Sequence, residues 1–564
     1  MPPVQNPTVG DVVARFLERC GVTAAFGVIS IHNMPILDAF GRRAAEESAS
    51  GKPAPIDFVM ARGEQGALNM ADAYARVRGS LGVGITSTGT AAGNACGSMV
   101  EAQTAGTPVL HLTGQIEVQY LDRNLGYIHE ARDQLTMMSG VSKRAFRVWT
   151  PQDALPVLKQ AVQLAMTPPM GPVSVEIPID VQLATLPAWP ADFDPLPIAV
   201  NQPSEADLDR IAERLAKAKR PLIWLGGGAR SARTAAEKLV AMGFGFVSSV
   251  QGRGILPEDH PASLGAYNLH KPAEELYATC DALLVVGSRL RSNETLTYKL
   301  KLPKPLIRVD TDPVQADGPY PIDDFVCGDS VLVLEGLIKR LAGKTAIDPA
   351  LQKDVAAAKV AAEAIVLKGL GPYESMVGEL QAAAGRDYIW VRDVTLSNST
   401  WGNRSLKLFG PRDGVHAMGG GIGQGIQMAL GAAKGAPNRK VLCLSGDGGL
   451  MVNVGELASL VQEKANVTIV LMNDGGYGVI RNIQDAIYGS RRMYTELHNP
   501  DFELFARSLK LSYKKVSKTA DMAAALKAAV AEKGPVLVEV DMKSIGNFAT
   551  AFAGPPVRKE AAKA

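Results

Sequence analysis

The chain has 564 residues, too many for one hydrophobic core, so two to four domains are expected. Hydrophobic residues make up 46% and charged residues 21%, the balance of an ordinary globular enzyme. A net charge of +2 with dispersed Lys and Arg gives no electrostatic case for nucleic acid, and no apolar run reaches membrane-spanning length. The five cysteines are scattered without a CxxC pair and read as buried, reduced thiols. The start, MPPVQNPTVGD, lacks a basic and apolar signal pattern. Together these features predict a cytoplasmic protein without a membrane partner.

Thr8 is placed to cap a helix whose apolar face is Val9, Val12, Val13, Phe16 and Leu17, with Gly21 ending it. Strands are then expected at 24–28, 56–60, 81–86 and 109–113, with helices after Asn33, from Gln65 and from Ala91. The run 171–178 reads as the last strand of this region, and the proline-rich 186–203 as a linker. Such alternation predicts a parallel sheet wrapped by helices. A shorter second round follows, with strands at 221–225, 283–286 and 307–309. Each enters a Gly-, Arg- or Asp-containing turn that could hold a nucleotide, but no GxGxxG follows the first of them. Residues 347–370, rich in alanine and charge, read as a helical connector. A third region repeats the architecture of the first. The fold class expected is α/β in three domains, 1–190, 200–345 and 370–550, each a mostly parallel sheet flanked by helices. The tail from Phe552 onward could fold over a site.

The most informative stretch is 441–478. A buried strand, 441–444, breaks into Gly446-Asp447-Gly448-Gly449, and a second strand, 467–472, ends at Asn473-Asp474-Gly475-Gly476-Tyr477. Glycines let backbone N–H groups approach an anion closely. A carboxylate and an amide oxygen at neighbouring strand ends suit a hard divalent cation kept with phosphate oxygens. Gly-Asp-Gly alone is also a common turn. The Asn about 25 residues later makes the pair resemble the thiamine diphosphate signature. Arg62-Gly63-Glu64-Gln65-Gly66-Ala67, at a helix start, resembles the catalytic-glutamate segment of acetohydroxyacid synthase-like enzymes. Gln251-Gly252-Arg253-Gly254 and Val285-Val286-Gly287-Ser288-Arg289 look like central-domain counterparts in those synthases. The whole chain thus resembles the thiamine diphosphate-dependent decarboxylase and carboligase family, in the domain order pyrimidine-binding, central, diphosphate-binding.

The resemblance implies thiamine diphosphate and Mg2+, with FAD a candidate for the central domain. It implies that Glu64 works on the pyrimidine ring from an apolar pocket. The metal ligands would be Asp447, the Asn473 side chain and the Gly475 carbonyl. Ile422 would be the wedge that bends the cofactor, with Met418 competing, and the Gly420 carbonyl would meet the amino group. Ser397, Asn398, Gly446, Gly448, Gly449, Gly476 and Tyr477 would complete cofactor binding. His32, His129 and Gln115 are the catalytic candidates on the substrate side, whereas His111 reads as a core residue. The family places the cofactor between subunits, which implies a homodimer or homotetramer.

The sequence also departs from the family. The adjacent-histidine pair of pyruvate decarboxylases is absent, the synthases' aromatic-Gln-Glu loop is Ile128-His129-Glu130, and Thr88-Gly89-Thr90-Ala91 replaces their glycine-proline-glycine turn. The leading expectation is an acetolactate-synthase-like decarboxylating carboligase acting on a 2-oxo acid. The alternatives are a simple 2-oxo acid decarboxylase, a lyase of hydroxyketones, an acyl-CoA lyase, or a silent cofactor-binding regulatory subunit.

Overall fold

The computed structural model describes residues 6–552 and 554; of the expected C-terminal tail, residue 553 and everything beyond 554 lie outside them. Local chemistry starts the first helix, Val9–Arg19, as expected. The Thr8 Oγ1 accepts the Asp11 N–H at 3.2 Å, and the Asp11 carboxylate accepts the Thr8 N–H at 2.9 Å. This reciprocal cap satisfies two donors that the helix cannot. Its five apolar positions are all fully buried, and the chain leaves through Gly21 at φ +75.

Among the described residues, strands form three sheets. The first contains β1 (Ala24–Gly27), β2 (Asp57–Met60), β3 (Gly82–Thr86), β4 (Val109–Gln115), β5 (Ala145–Arg147) and β6 (Val173–Pro178), in the order β2-β1-β3-β4-β6-β5. Every neighbouring pair in it is parallel. The second contains β7 (Pro221–Leu225), β8 (Gly245–Ser248), β9 (Ala282–Val286), β10 (Leu306–Asp310) and β11 (Asp324–Cys327), in the order β11-β10-β9-β7-β8. The third contains β12 (Tyr388–Arg392), β13 (Gly414–His416), β14 (Lys440–Gly446), β15 (Val467–Asn473), β16 (Ser512–Val516) and β17 (Val536–Asp541). Its order is β13-β12-β14-β15-β17-β16. Numbered within each sheet, the first and third share one order: second, first, third, fourth, sixth, fifth. The central strands are continuous apolar runs because helices cover both faces. Strands β5, β8 and β11, which are short and sparing in branched apolar residues, escaped the sequence reading, and β13, β16 and β17 of the third region were not placed individually. The expected connector is the helix Leu351–Gly369.

The chain divides into two compact units: residues up to 199 with 416–441 and 450–467, and residues 200–415 with 442–449 and those from 468 on. Within the first unit the helix Glu64–Arg78 lies against the helix Gly425–Gly435. A Cβ on Gly431 would sit 2.1 Å from the Met70 carbonyl oxygen, so the two backbones meet there. Gly431→Ala is therefore expected to cost about 1–3 kcal/mol through overpacking. Gly378, exposed in the helix Met376–Ala384, has nothing within 4 Å of its Cβ position. Gly378→Ala should raise stability by about 0.5–1 kcal/mol, so thermal melts of the two variants should shift in opposite directions.

The glycine turns of the second sheet are explained by packing. Gly226 and Gly228 donate their N–H groups to the Val286 and Gly287 carbonyls at 2.8 and 3.0 Å. A Cβ on Gly226 would fall 2.1 Å from the Gly287 oxygen. These turns pack closely on each other.

Candidate active site

In the second unit, the ends of β14 and β15 bring Asp447, Asn473 and Gly475 together, at the carboxyl edge where parallel sheets hold ligands. Asp447 is buried, and that burial pushes its carboxyl up to about 6, a hydrogen bond from Asn499 opposing and the charge of Asp474 adding to the rise. The Asn499 Nδ2 donates to the Asp447 Oδ2 at 2.6 Å and faces the Asn473 Oδ1 at 3.5 Å. The Asp474 N–H approaches the other Asp447 oxygen at 3.4 Å. Asn473 is turned by Glu539, whose Oε1 accepts its Nδ2 at 2.7 Å, so the amide oxygen is left facing the Gly475 N–H at 3.2 Å. The Gly475 carbonyl already accepts the Leu497 N–H at 3.1 Å, which leaves it one lone pair.

The neighbouring glycines are needed for close approach. A Cβ on Gly448 would lie 2.7 Å from the Tyr477 ring, and one on Gly476 would lie 2.0 Å from the Thr495 oxygen. A Cβ on Gly446 would lie 2.8 Å from the Thr395 hydroxyl. Gly449 follows in the short helix Asp447–Val452, and Tyr477 precedes the helix Gly478–Ile487. Ser397 and Asn398 are buried, at a π-helical turn, Asn398–Gly402, after β12 rather than at a strand end. The Asn398 amide oxygen is buried without a partner. A buried carboxylate that accepts amide N–H groups, beside an amide oxygen and close-approach glycines, fits a divalent cation carrying a diphosphate.

In the first unit, Glu64 opens the helix Glu64–Arg78 and accepts the Asn94 Nδ2 at 3.0 Å. It lines a cleft of about 350 Å3 with Arg62, Asn94, Val452, Asn453 and Glu456. The lining is more polar than the apolar pocket expected, because the cleft is made from helix starts and a loop. Glu456 escaped the sequence reading. Burial raises its carboxyl above the usual range against hydrogen bonds from Ser459 and from the Arg62 and Gly63 N–H groups. Its Oε2 is buried without a partner. The segment Gly419–Gly423 also lies in this unit. Gly420 adopts φ +83 with open space around its Cβ position. Ile422 is 38% exposed whereas Met418 is 7% exposed, so the free side chain is Ile422.

His32 and His129, far apart in sequence, meet with ring centroids 5.2 Å apart. Burial lowers the His32 pKa, His129 lowers it further and Glu117 opposes both. His129 takes φ +67, and Gly89 lets its backbone come near, a Cβ there falling 2.3 Å from the His129 oxygen. Gln115 does not reach this pair as a free group. Its Oε1 accepts the Thr88 hydroxyl at 2.9 Å and the Ile116 N–H at 2.8 Å, and its Nε2 points at Glu176 at 3.4 Å. His111 is a satisfied core residue between Thr86 and Ser174. Glu539 and Asn499 were also missed. The available signal for Glu539 was a lone acid in the valine run of β17.

The fold and these two clusters define an α/β enzyme built from repeated parallel sheets, with its chemistry at their carboxyl edges. Family models for thiamine pyrophosphate enzymes match three parts: the N-terminal TPP binding domain at residues 7–137, the central domain at 208–337 and the C-terminal TPP binding domain at 395–540. A probable 2-ketoarginine decarboxylase of Pseudomonas aeruginosa is 31% identical over 551 residues, covering 96% of this chain and 95% of the relative. The acetolactate synthase isozyme 2 large subunit of Escherichia coli is 26% identical over 558 residues, covering 95% of each. The acetolactate synthase large subunit of Corynebacterium glutamicum is 28% identical over 566 residues, covering 95% of this chain and 87% of its own. The chain belongs to the thiamine pyrophosphate enzyme family. It is a thiamine diphosphate-dependent decarboxylase or carboligase. No described helix is long and apolar enough to cross a membrane.

Proposed function

We propose that this enzyme decarboxylates a 2-oxo acid and releases an aldehyde, with His32 and His129 handling the closing proton transfer. The meeting of these two imidazoles carries the reading, since a proton must reach the carbon that CO2 leaves. Bound thiamine diphosphate would supply the nucleophilic carbon and electron sink that decarboxylation of a 2-oxo acid needs. Glu64 exchanges a proton with the cofactor's pyrimidine ring. The Gly420 carbonyl would accept an N–H of the ring's amino group, and Ile422 would be the wedge that bends the cofactor. Asp447, Asn473 and the second lone pair of the Gly475 carbonyl hold Mg2+ for the diphosphate. Ser397, Asn398, the glycines 446, 448, 449 and 476, and Tyr477 line that end. We assign residues 1–190, 200–345 and 370–550 to the pyrimidine-binding, central and diphosphate-binding domains. A homodimer or homotetramer completes the active sites.

Glu117 supports a cationic side chain on the substrate, as in 2-ketoarginine. It lies by His32, accepts the Tyr127 hydroxyl at 3.1 Å, and keeps its Oε2 unpartnered. Carboligation of the acetolactate-synthase kind is the second reading, favoured by synthase relatives that span nearly the whole chain.

The test is incubation with 5-guanidino-2-oxopentanoate, pyruvate and benzoylformate, with separate assays for aldehyde and hydroxyketone. Free aldehyde, greatest from the guanidino acid and lost in His32→Ala, is expected. Hydroxyketone from pyruvate would transfer the assignment to a carboligase. No CO2 from any of the three acids by cofactor-loaded protein would overturn the substrate class.

A further inference from the structure

The start of the clasp segment Gly419–Gly423 is held by a buried carboxylate, and its end by Asn453, whose Nδ2 donates to the Gly423 carbonyl at 2.9 Å. Glu101, on the helix Thr90–Ala105, is 1% exposed. Its Oε1 accepts the Met418 N–H at 2.6 Å and its Oε2 accepts the Gly419 N–H at 2.6 Å. Two consecutive backbone donors on one ionised carboxylate are short, strong, charge-assisted bonds. They fix both position and direction of the backbone just before Gly420.

The carboxylate is itself held. The Arg76 Nη2 donates to the Glu101 Oε1 at 2.9 Å, and the Arg76 Nη1 donates to the His416 carbonyl at 2.7 Å. Asp72, one turn earlier on the helix Glu64–Arg78, takes the Arg76 Nε at 3.0 Å. The guanidinium thus grips the strand that leads into the clasp while it orients the acid that grips the clasp itself. Gly419 makes the approach feasible, because a Cβ there would lie 2.9 Å from the Glu101 Oε2.

A structural pair needs no such aim. A buried ion pair can be replaced by apolar residues with little loss of stability, so its charge is better explained by what it orients. We propose that Glu101 is a positioning residue for thiamine diphosphate: it presets the backbone of Gly419–Gly423 to receive the aminopyrimidine ring. This rests on the reading that Gly420 and Ile422 clasp the cofactor. Without the two bonds the stretch at Met418 and Gly419 samples more conformations, and ordering it is charged against binding.

The experiment is calorimetric titration of thiamine diphosphate, at fixed magnesium, into cofactor-stripped full-length protein. The proteins are the wild type, Glu101→Asp, Gly419→Ala and Asp447→Ala, with thermal melts and the near-ultraviolet circular dichroism of the bound cofactor recorded alongside. Glu101→Asp keeps the charge for Arg76 but is one methylene too short to reach both N–H groups. Gly419→Ala keeps every charge and pushes the pair apart from the other side. Each is expected to weaken the cofactor about tenfold or more, the scale of one charge-assisted hydrogen bond. Each should also alter the dichroism of the bound ring while melting cooperatively. A double variant combining Glu101→Asp with Gly419→Ala should be no weaker than the worse single one, since both break the same contact. If Glu101→Asp fails to fold, Gly419→Ala carries the test. Wild-type affinity in the folded variants, with binding lost in Asp447→Ala, would overturn this inference alone. Wild-type affinity in Asp447→Ala would instead bring down the cofactor assignment on which it rests.

Discussion

Asp447→Ala abolishes magnesium-dependent binding of thiamine diphosphate, with an expected rise in Kd of at least about a thousandfold, or roughly 4 kcal/mol. The reason lies in what surrounds the carboxylate. It is buried, and among the described residues no Lys or Arg pairs with it. Its partners are the amide of Asn499 and the N–H of Asp474. A carboxylate so placed is unfavourable alone and favourable with a cation. Removing it leaves the Asn473 and Gly475 oxygens, neutral donors with little hold on Mg2+. The fold should survive, because burying a methyl group is easier than burying the acid. Calorimetric titration with and without magnesium checks this. Equal affinity in the presence and absence of magnesium for the wild type would remove the metal assignment.

Glu64→Gln should lower kcat by about 10^2–10^4 while changing the cofactor Kd only a few fold. The amide is the same size and can keep a hydrogen bond with Asn94 by turning over. It cannot exchange a proton with the pyrimidine ring. Loss of kcat with retained binding separates proton transfer from simple support, which would weaken the cofactor instead. Full turnover in a loaded Glu64→Gln enzyme would remove Glu64 from the mechanism.

Much of this could be read from local sequence. Thr8 and Asp11 announce a reciprocal cap within four residues. The Gly-Asp-Gly turn and Asn473 are both strand-terminal, and strand ends are visible as breaks in apolar runs. What could not be read is anything that depends on tertiary pairing. Glu101 and Met418 are separated by more than three hundred positions, and neither stands out in its own segment. The meeting of His32 with His129 depends on two loops leaving different strands of one sheet. Gln115 looked available because it ends a strand beside a catalytic-looking loop, yet Thr88 and Ile116 occupy its amide oxygen. The grouping of 416–441 and 450–467 with the first 199 residues is likewise invisible in linear order.

The shared strand order of the first and third sheets extends to side chains. In the first, Gln115 ends β4 in register with Pro178, and its amide points at Glu176, two residues before Pro178 on β6. In the third, Asn473 ends β15 in register with Asp541, and its amide donates to Glu539, two residues before Asp541 on β17. The same amide–carboxylate brace therefore occurs twice, at matching places, as descent from a duplicated ancestral half would leave it. The turns after the third strands have diverged: one reads Ser87-Thr88-Gly89 and the other Gly446-Asp447-Gly448. The brace is core in one half, and in the other it holds the amide that the proposed function assigns to the metal.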